Sequence, residues 1–214
     1  MNTYKALQSY ANAGKQIFGV MGPSTGGKST MTQEMLIRFP EVFTHVSFAD
    51  YLKEVATWRG WNGQKDPAGR AFLQRVSEEL KAAFGDSVFY DIGIKKACCA
   101  KQPFVLIDDL RFTVEISQMY KGRHTSEFGV GYTTHCLVLE EQEAEARWEA
   151  AYFDPEDTGN WARHVSELEW RAVRHMFPCF TNKKELGVEI NAEVFLDFIT
   201  ENARRGVAQC LMTH

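Results

Sequence analysis

Apolar positions along this chain fall into short continuous runs, separated by longer stretches of helical periodicity. Gln16-Ile17-Phe18-Gly19-Val20-Met21 is the first run and reads as a strand. From Thr30 to Arg38, Met31, Met35, Leu36 and then Phe39 recur at helical spacing, and Pro40 closes the helix. Val42 to Phe48 is a second strand-like run, followed by a helix from Asp50 to Arg59 that ends at Gly60. Asp66 as N-cap and Pro67 at the first helical position open a further helix. Its apolar face is Phe72, Leu73, Val76, Leu80, Ala83 and Phe84, and Gly85 ends it. Another helix is predicted from Ser87 to Ala100.

Pro103-Phe104-Val105-Leu106-Ile107-Asp108 is almost wholly apolar, as a central parallel strand covered on both faces would be. Beyond it the pattern predicts a helix from Thr113 to Tyr120, a strand at His135–Leu139 and a helix over 140–152. A loop over 153–165, a helix from Glu167 to Met176, a strand at Phe177–Thr181 and a last helix from Ala192 to Arg204 complete the chain. Strands alternating with helices predict an α/β layered fold with a mostly parallel sheet, in one domain over residues 1–214.

Composition narrows the classes. The 214 residues are 44% hydrophobic and 24% charged, ordinary for a globular chain. A net charge of −4 offers no basic field for a nucleic-acid backbone, so no nucleic-acid partner is expected. No apolar run approaches the roughly 20 residues of a membrane span, and the first residues lack a signal-peptide core, so a cytoplasmic location without membrane contact is expected. The five cysteines are odd in number and show no C-x-x-C spacing. Cys136 and Cys179 read as buried thiols, and Cys98-Cys99 as a helix-end packing pair.

The chemistry is concentrated at Gly22-Pro23-Ser24-Thr25-Gly26-Gly27-Lys28-Ser29, which is G-x-x-x-x-G-K-[ST]. Glycines allow successive backbone N–H groups to turn inward around an anion, and the helix that follows aims its positive end at the same point. Gly22, Ser24, Thr25, Gly26, Gly27, Lys28, Ser29 and Thr30 are therefore expected to hold the phosphates of ATP. Lys28 would lie between the β- and γ-phosphates, and the Ser29 hydroxyl would face Mg²⁺.

Asp108 and Asp109 stand at the C-terminal end of the most apolar strand, where ligands bind in open α/β sheets. A carboxylate there can serve the metal, and Asp108 is the candidate ligand with Ser29. Arg111 could reach an anionic acceptor, or could pair with Glu115 one turn on. Arg70 and Gln74 share a face of the Asp66 helix, suited to gripping a phosphate and reading a base edge, although periodicity alone favours a solvated polar face. Phe48, Tyr51 and Trp61 could stack on a base. Ser166-x-x-Glu169 reads as a capping box in preference to a chemical role for His164. Arg147 and Arg163 flank the 153–162 loop and are either donor-phosphate ligands from a lid or solvent-facing charge.

Taken together, GPSTGGKS, FADYLKE after the second strand, GRAFLQ in the Asp66 helix, IDDLRF after the third strand and HVSE near residue 164 resemble the deoxynucleoside monophosphate kinases of large bacteriophages, a branch of the P-loop nucleotide kinases. The resemblance implies a three-layer αβα sandwich with a five-stranded parallel sheet in the order 2-3-1-4-5, an acceptor region over about 48–85 and a small helical lid over about 140–168. It implies ATP as donor, Mg²⁺ and a deoxynucleoside monophosphate acceptor bound by Phe48, Lys53, Arg70, Gln74 and Arg111, to which the polar, aromatic-bearing loop adds Trp61 and Lys65 as candidates. Lys28, Asp109, Arg111 and Arg147 would be catalytic. The protein would act in the cytoplasm, the host's if phage-encoded, and a homodimer is left open. One departure is Arg75-Val76-Ser77-Glu78, where the phage enzymes carry Leu-Gly-Thr-Asp. A kinase for a non-nucleotide acceptor and a nucleotide-driven switch are the competing readings.

Overall fold

The computed structural model describes residues 14–23, 26–120, 123–126, 131–141 and 165–212, with a few single positions between 129 and 150. Among these, six strands form one sheet: β1 (Lys15–Met21), β2 (Phe43–His45), β3 (Phe104–Ile107), β4 (Arg123–Thr125), β5 (Gly131–Glu141) and β6 (Cys179–Asn182). Seven helices accompany them: α1 (Lys28–Arg38), α2 (Ala49–Trp58), α3 (Pro67–Phe84), α4 (Val88–Cys99), α5 (Thr113–Met119), α6 (Val165–Val173) and α7 (Gly187–Met212).

Five strands run parallel in the order β2-β3-β1-β5-β6, matching the order the resemblance implies, but the sheet has six strands and not five. β4 is an addition. It lies antiparallel on β5, pairing Arg123 with Thr133 and Thr125 with Gly131, while β6 pairs β5 farther along, from Val138 to Glu141. β5 is also longer than its apolar run, 11 residues in all. Its polar start, Gly131 to Thr134, is held by β1 and β4, and Glu140 and Glu141 pair with Thr181 and Asn182 of β6. Glu140 and Glu141 therefore belong to a strand, not to the start of the expected helix, most of which lies outside the described residues.

β1 sends alternate side chains to opposite faces, the period of two that strand geometry dictates. Phe18 and Val20 pack with Met31 and Met35 of α1 and Phe195 and Ile199 of α7. Ile17 and Met21 pack on the other face with Phe48, Val76, Ile94, Ile116 and Trp170, contributed by the region from α2 to α6. The result is the three-layer αβα sandwich, with the C-terminal ends of β1, β3 and β5 at one edge. Asp66 caps α3 as expected, its carboxylate accepting from Gly69 N–H at 2.7 Å with Pro67 in the first turn.

Two local expectations change. α6 already includes Val165 and Ser166, so Ser166 does not precede the helix. The Glu169 carboxylate accepts from the Thr113 N–H, tying α6 to the start of α5. Cys136 is buried but Cys179 is exposed, because β6 turns Phe180 inward and its neighbours out. No helix among the described residues is long and apolar enough to cross a membrane.

Candidate active site

β1 delivers the glycine-rich loop and α1 leaves it, so strand, loop and helix stand in the expected order. Two glycines are required by geometry. Gly22 has φ +149°, and a Cβ there would lie 2.1 Å from the Leu139 carbonyl oxygen of β5. Gly27 has φ +80°, and a Cβ there would lie 2.8 Å from Asn182 Nδ2. Gly26 N–H donates to the Pro23 carbonyl at 2.9 Å, closing the turn. Ser24 and Thr25 lie outside the described residues, as do Arg147, Arg163 and His164.

Lys28 is 5% exposed. Its Nζ donates to the carbonyls of Gly22 and Pro23 at 2.7 and 2.6 Å, which holds the ammonium over the loop. Burial lowers its pKa to about 8, with the nearby Arg111 charge adding to the effect and Glu167, Asp108 and Asp109 pulling the other way. Ser29, one residue on and exposed, adds to the pull that lowers the pKa of the Asp108 carboxyl at the tip of β3. His45, at the end of β2, donates from Nε2 to Asp108 Oδ1 at 2.7 Å. Burial raises the Asp108 pKa, but the hydrogen bond from His45, the nearby Ser29 hydroxyl and the Lys28 charge outweigh it and leave the carboxyl below its ordinary value. The same hydrogen bond raises His45 above an ordinary imidazole. The Ser29 hydroxyl and the Asp108 carboxylate are both hard oxygen donors, a chemistry that suits Mg²⁺.

Asp109 has a different surrounding. Its carboxylate accepts from Ser47 Oγ at 2.7 Å, Phe48 N–H at 3.0 Å and Ala49 N–H at 2.9 Å. It thus caps the N-terminus of α2 from another strand, a role the local sequence around Phe48 does not announce. Arg111 pairs through Nη1 with Glu167 Oε1 of α6 at 3.4 Å. Glu115, the alternative partner, instead accepts from the backbone N–H groups of Arg111 and Phe112, each at 3.2 Å. Burial pushes the Glu115 carboxyl up to about 7, against the pull of those two N–H groups.

The expected acceptor residues separate into groups. Trp61, Lys65 and Arg70 gather at the start of α3. Trp61 Nε1 donates to the Gln64 carbonyl at 3.0 Å and Arg70 Nε to the Lys65 carbonyl at 2.9 Å. Gln74, exposed one turn on, donates to Glu78 at 3.3 Å. Phe48 is buried and packs on Tyr90 of α4, with ring centroids 5.6 Å apart. Lys53 lies 3.5 Å from Asp50 on its own helix. Thr30 is exposed on the first turn of α1. Sequence reasoning missed His45, Glu167 and Asn182. Only Glu167 carried a signal, its i,i+3 spacing to Trp170 on one helix face.

No family model matches the chain, and no curated protein matches it. Among solved structures, the chain is similar to a deoxyadenosine kinase from M. mycoides with dCMP and a flexible dCDP bound, at TM-score 0.41 and 12% identity over 86% of this chain and 99% of that one. It is similar to a putative kinase from Chloroflexus aurantiacus at TM-score 0.41 and 13% identity, over 90% and 97%. It is similar to shikimate kinase from Bacteroides thetaiotaomicron at TM-score 0.38 and 14% identity, over 86% and 98%. Likenesses this distant assign no substrate, and the chemistry is argued from the residues themselves.

Proposed function

We propose that this chain is a phosphotransferase that moves the γ-phosphoryl group of ATP to a (deoxy)nucleoside monophosphate. The observation that carries the reading is the placement of Lys28: a buried ammonium bonded over a glycine-lined loop, with the Asp108 carboxylate near enough to act on its charge. Lys28 would exchange its loop carbonyls for the β- and γ-phosphate oxygens. Ser29 and Asp108 would hold Mg²⁺, which when bound neutralises charge on the transferring group. Arg111 would hold the acceptor phosphate and Arg147 would reach the donor from the 140–168 region. Trp61, Lys65, Arg70 and Gln74, with Phe48 and Lys53, would form the acceptor side. Asp109 would act by fixing the turn that carries Phe48. Catalysis on this reading is positioning and charge neutralisation, with no side-chain base required.

Incubation with ATP, Mg²⁺ and each common nucleoside monophosphate tests it, with the diphosphate as the expected product. A folded protein that forms no diphosphate from any of them removes the reading. One observation favours a second acceptor class. The Gln74 amide is paired with Glu78 and the Arg70 Nε with a backbone carbonyl, so neither is reserved for a base edge. ADP release driven by a non-nucleotide alcohol or phosphate, and by no nucleotide, would establish that alternative.

A further inference from the structure

Away from the glycine-rich loop, a cavity of about 440 Å³ opens between α4 and the β4–β5 pair. One wall is a face of α4: Tyr90, Ile94 and Cys98 recur at i, i+4 and i+8, with Asp91 and Lys95 beside them. The other wall includes Tyr132, near the start of β5. Tyr132 pairs with Lys15 of β1, and Val138 with Met21. That wall therefore stands six residues, roughly 20 Å, along the sheet from the strand ends beside the loop. Tyr90 and Tyr132 are 6% and 9% exposed, yet neither phenol hydroxyl has a hydrogen-bond partner among the described residues. Neither hydroxyl is sealed away from accessible space. Burial raises both phenols above an ordinary tyrosine, so each stays a neutral donor. Their rings are already held. Tyr90 packs on Phe48, and Tyr132 stacks on His124 with centroids 5.0 Å apart. Asp91 is exposed and accepts from Ser87 Oγ through Oδ2 at 2.7 Å, while its Oδ1 has no hydrogen-bond partner among the described residues.

We propose that this cavity is a second binding site, for a small, flat, uncharged cyclic amide: a ring that carries a carbonyl next to an N–H. The two phenols supply donors for carbonyl oxygen, and Asp91 Oδ1 supplies an acceptor for the N–H. A polar group on a buried residue is costly to leave unpaired, and a ligand carbonyl removes that cost. Ile94 and Cys98 give the ring apolar contact, and the aromatic lining suits a flat body. Asp91 and Lys95 bring opposite charges to the same helix face. An ionised ligand would give up its hydration without meeting an excess of countercharge, so an uncharged one fits better. The volume falls in the range of small-molecule sites. Nothing in this inference depends on the phosphotransfer reading.

The experiment titrates the full-length protein, carrying ¹³C-ring-labelled tyrosine, with three probes. Thymine has both carbonyl and N–H groups, 1,3-dimethylthymine keeps the carbonyls alone, and toluene has neither. Thymine is expected to shift the Tyr90 and Tyr132 resonances, assigned by their loss in Tyr90→Phe and Tyr132→Phe, with a Kd on the order of 1 mM. The dimethyl ring should bind about tenfold more weakly, the scale of a lost hydrogen bond to a carboxylate, and toluene more weakly again. Each Phe variant should melt as the wild type does, because the hydroxyl it lacks bonds to no protein group, and should weaken thymine about three- to tenfold. Asp91→Ala, at an exposed position, should weaken thymine about tenfold and abolish the preference over the dimethyl ring. Saturating Mg·ATP should leave the thymine Kd within about twofold. Several results would overturn the inference: both tyrosine resonances unmoved at about ten times the expected Kd, toluene binding as tightly as thymine, or unaltered affinity in both Phe variants. Displacement of thymine by Mg·ATP would place it at the glycine-rich loop and overturn it equally. Should a Phe variant fail to fold, Asp91→Ala and the probe series decide. No step requires turnover, so the outcome is independent of whether the chain transfers a phosphoryl group.

Discussion

A lysine kept charged inside a protein destabilises it, and Lys28 is such a lysine. Its folded pKa of about 8 lies below the ordinary 10.5 because burial disfavours the ammonium. Between those values the unfolded chain binds more protons than the native one, so stability rises with pH across that window, and at neutral pH the buried charge costs roughly 3 kcal/mol. Lys28→Met is therefore expected to lose at least about a thousandfold in turnover, the scale of a lost contact to developing charge. It should melt at the same temperature as the wild type or higher. Paired activity and thermal-melt measurements check this, and a variant that is both inactive and unfolded would contradict it. Glu115 gives the matching case for an acid. Its folded value of about 7 lies above the ordinary 4.5, so the native state keeps a proton that the unfolded chain has already lost. Stability from this group is full below about pH 4.5 and falls by about 3 kcal/mol as pH rises to about 7. Glu115→Gln keeps an acceptor for the Arg111 or Phe112 N–H and removes the titration. Urea unfolding at pH 5 and pH 8 should show the variant gaining on the wild type by that amount at the higher pH. An equal difference at both pH values would refute the burial effect.

Elements whose signals are local were legible in the sequence, and those that depend on a partner were not. Asp66, Pro67 and Gly85 bracket α3 by capping chemistry alone, and the structure returns that helix within a residue. β4 escaped because three residues, Arg123 to Thr125, become a strand only through pairing with the edge of β5. Glu140 and Glu141 read as helix by propensity but are recruited into β5 by Thr181 and Asn182. The cap of α2 is of the same kind. Phe48 at its N-terminus has no polar atom to offer, and the acceptor comes from Asp109, some 60 residues away. Asp109→Ala should leave three donors unsatisfied, two of them backbone N–H groups at buried or half-buried residues. The expected loss is about 2–3 kcal/mol, more than an exposed cap, and Asp109→Asn should recover much of it. Urea midpoints with unchanged slopes would check both values. A loss below about 0.5 kcal/mol would show that water replaces the carboxylate.

At the scale of the whole molecule, the geometry of the loop between β1 and α1 was readable and the surroundings of Asp108 and Arg111 were not, for one physical reason. The loop glycines, Lys28 and Ser29 are contiguous, so their spacing alone encodes their geometry. Arg111 meets Glu167, and His45 meets Asp108, only because the fold brings β2, the end of β3 and α6 to one side of the sheet, and no spacing rule links residues 45, 108, 111 and 167. That division makes ligand-induced stabilisation the sharpest global test. Mg·ATP binding the native state alone, at about 100 times its Kd, adds about 2.7 kcal/mol. For a chain of this size that is a rise in Tm on the order of 5–10 °C. Lys28→Met should lose most of the rise without a lower starting Tm. Asp109→Ala should start lower yet keep most of it, because its carboxylate holds the α2 terminus and touches no loop atom among its hydrogen bonds. Equal rises in the wild type and Lys28→Met would mean that the nucleotide sits somewhere other than the loop between β1 and α1. The roles given to Ser29 and Asp108 would then fall with it.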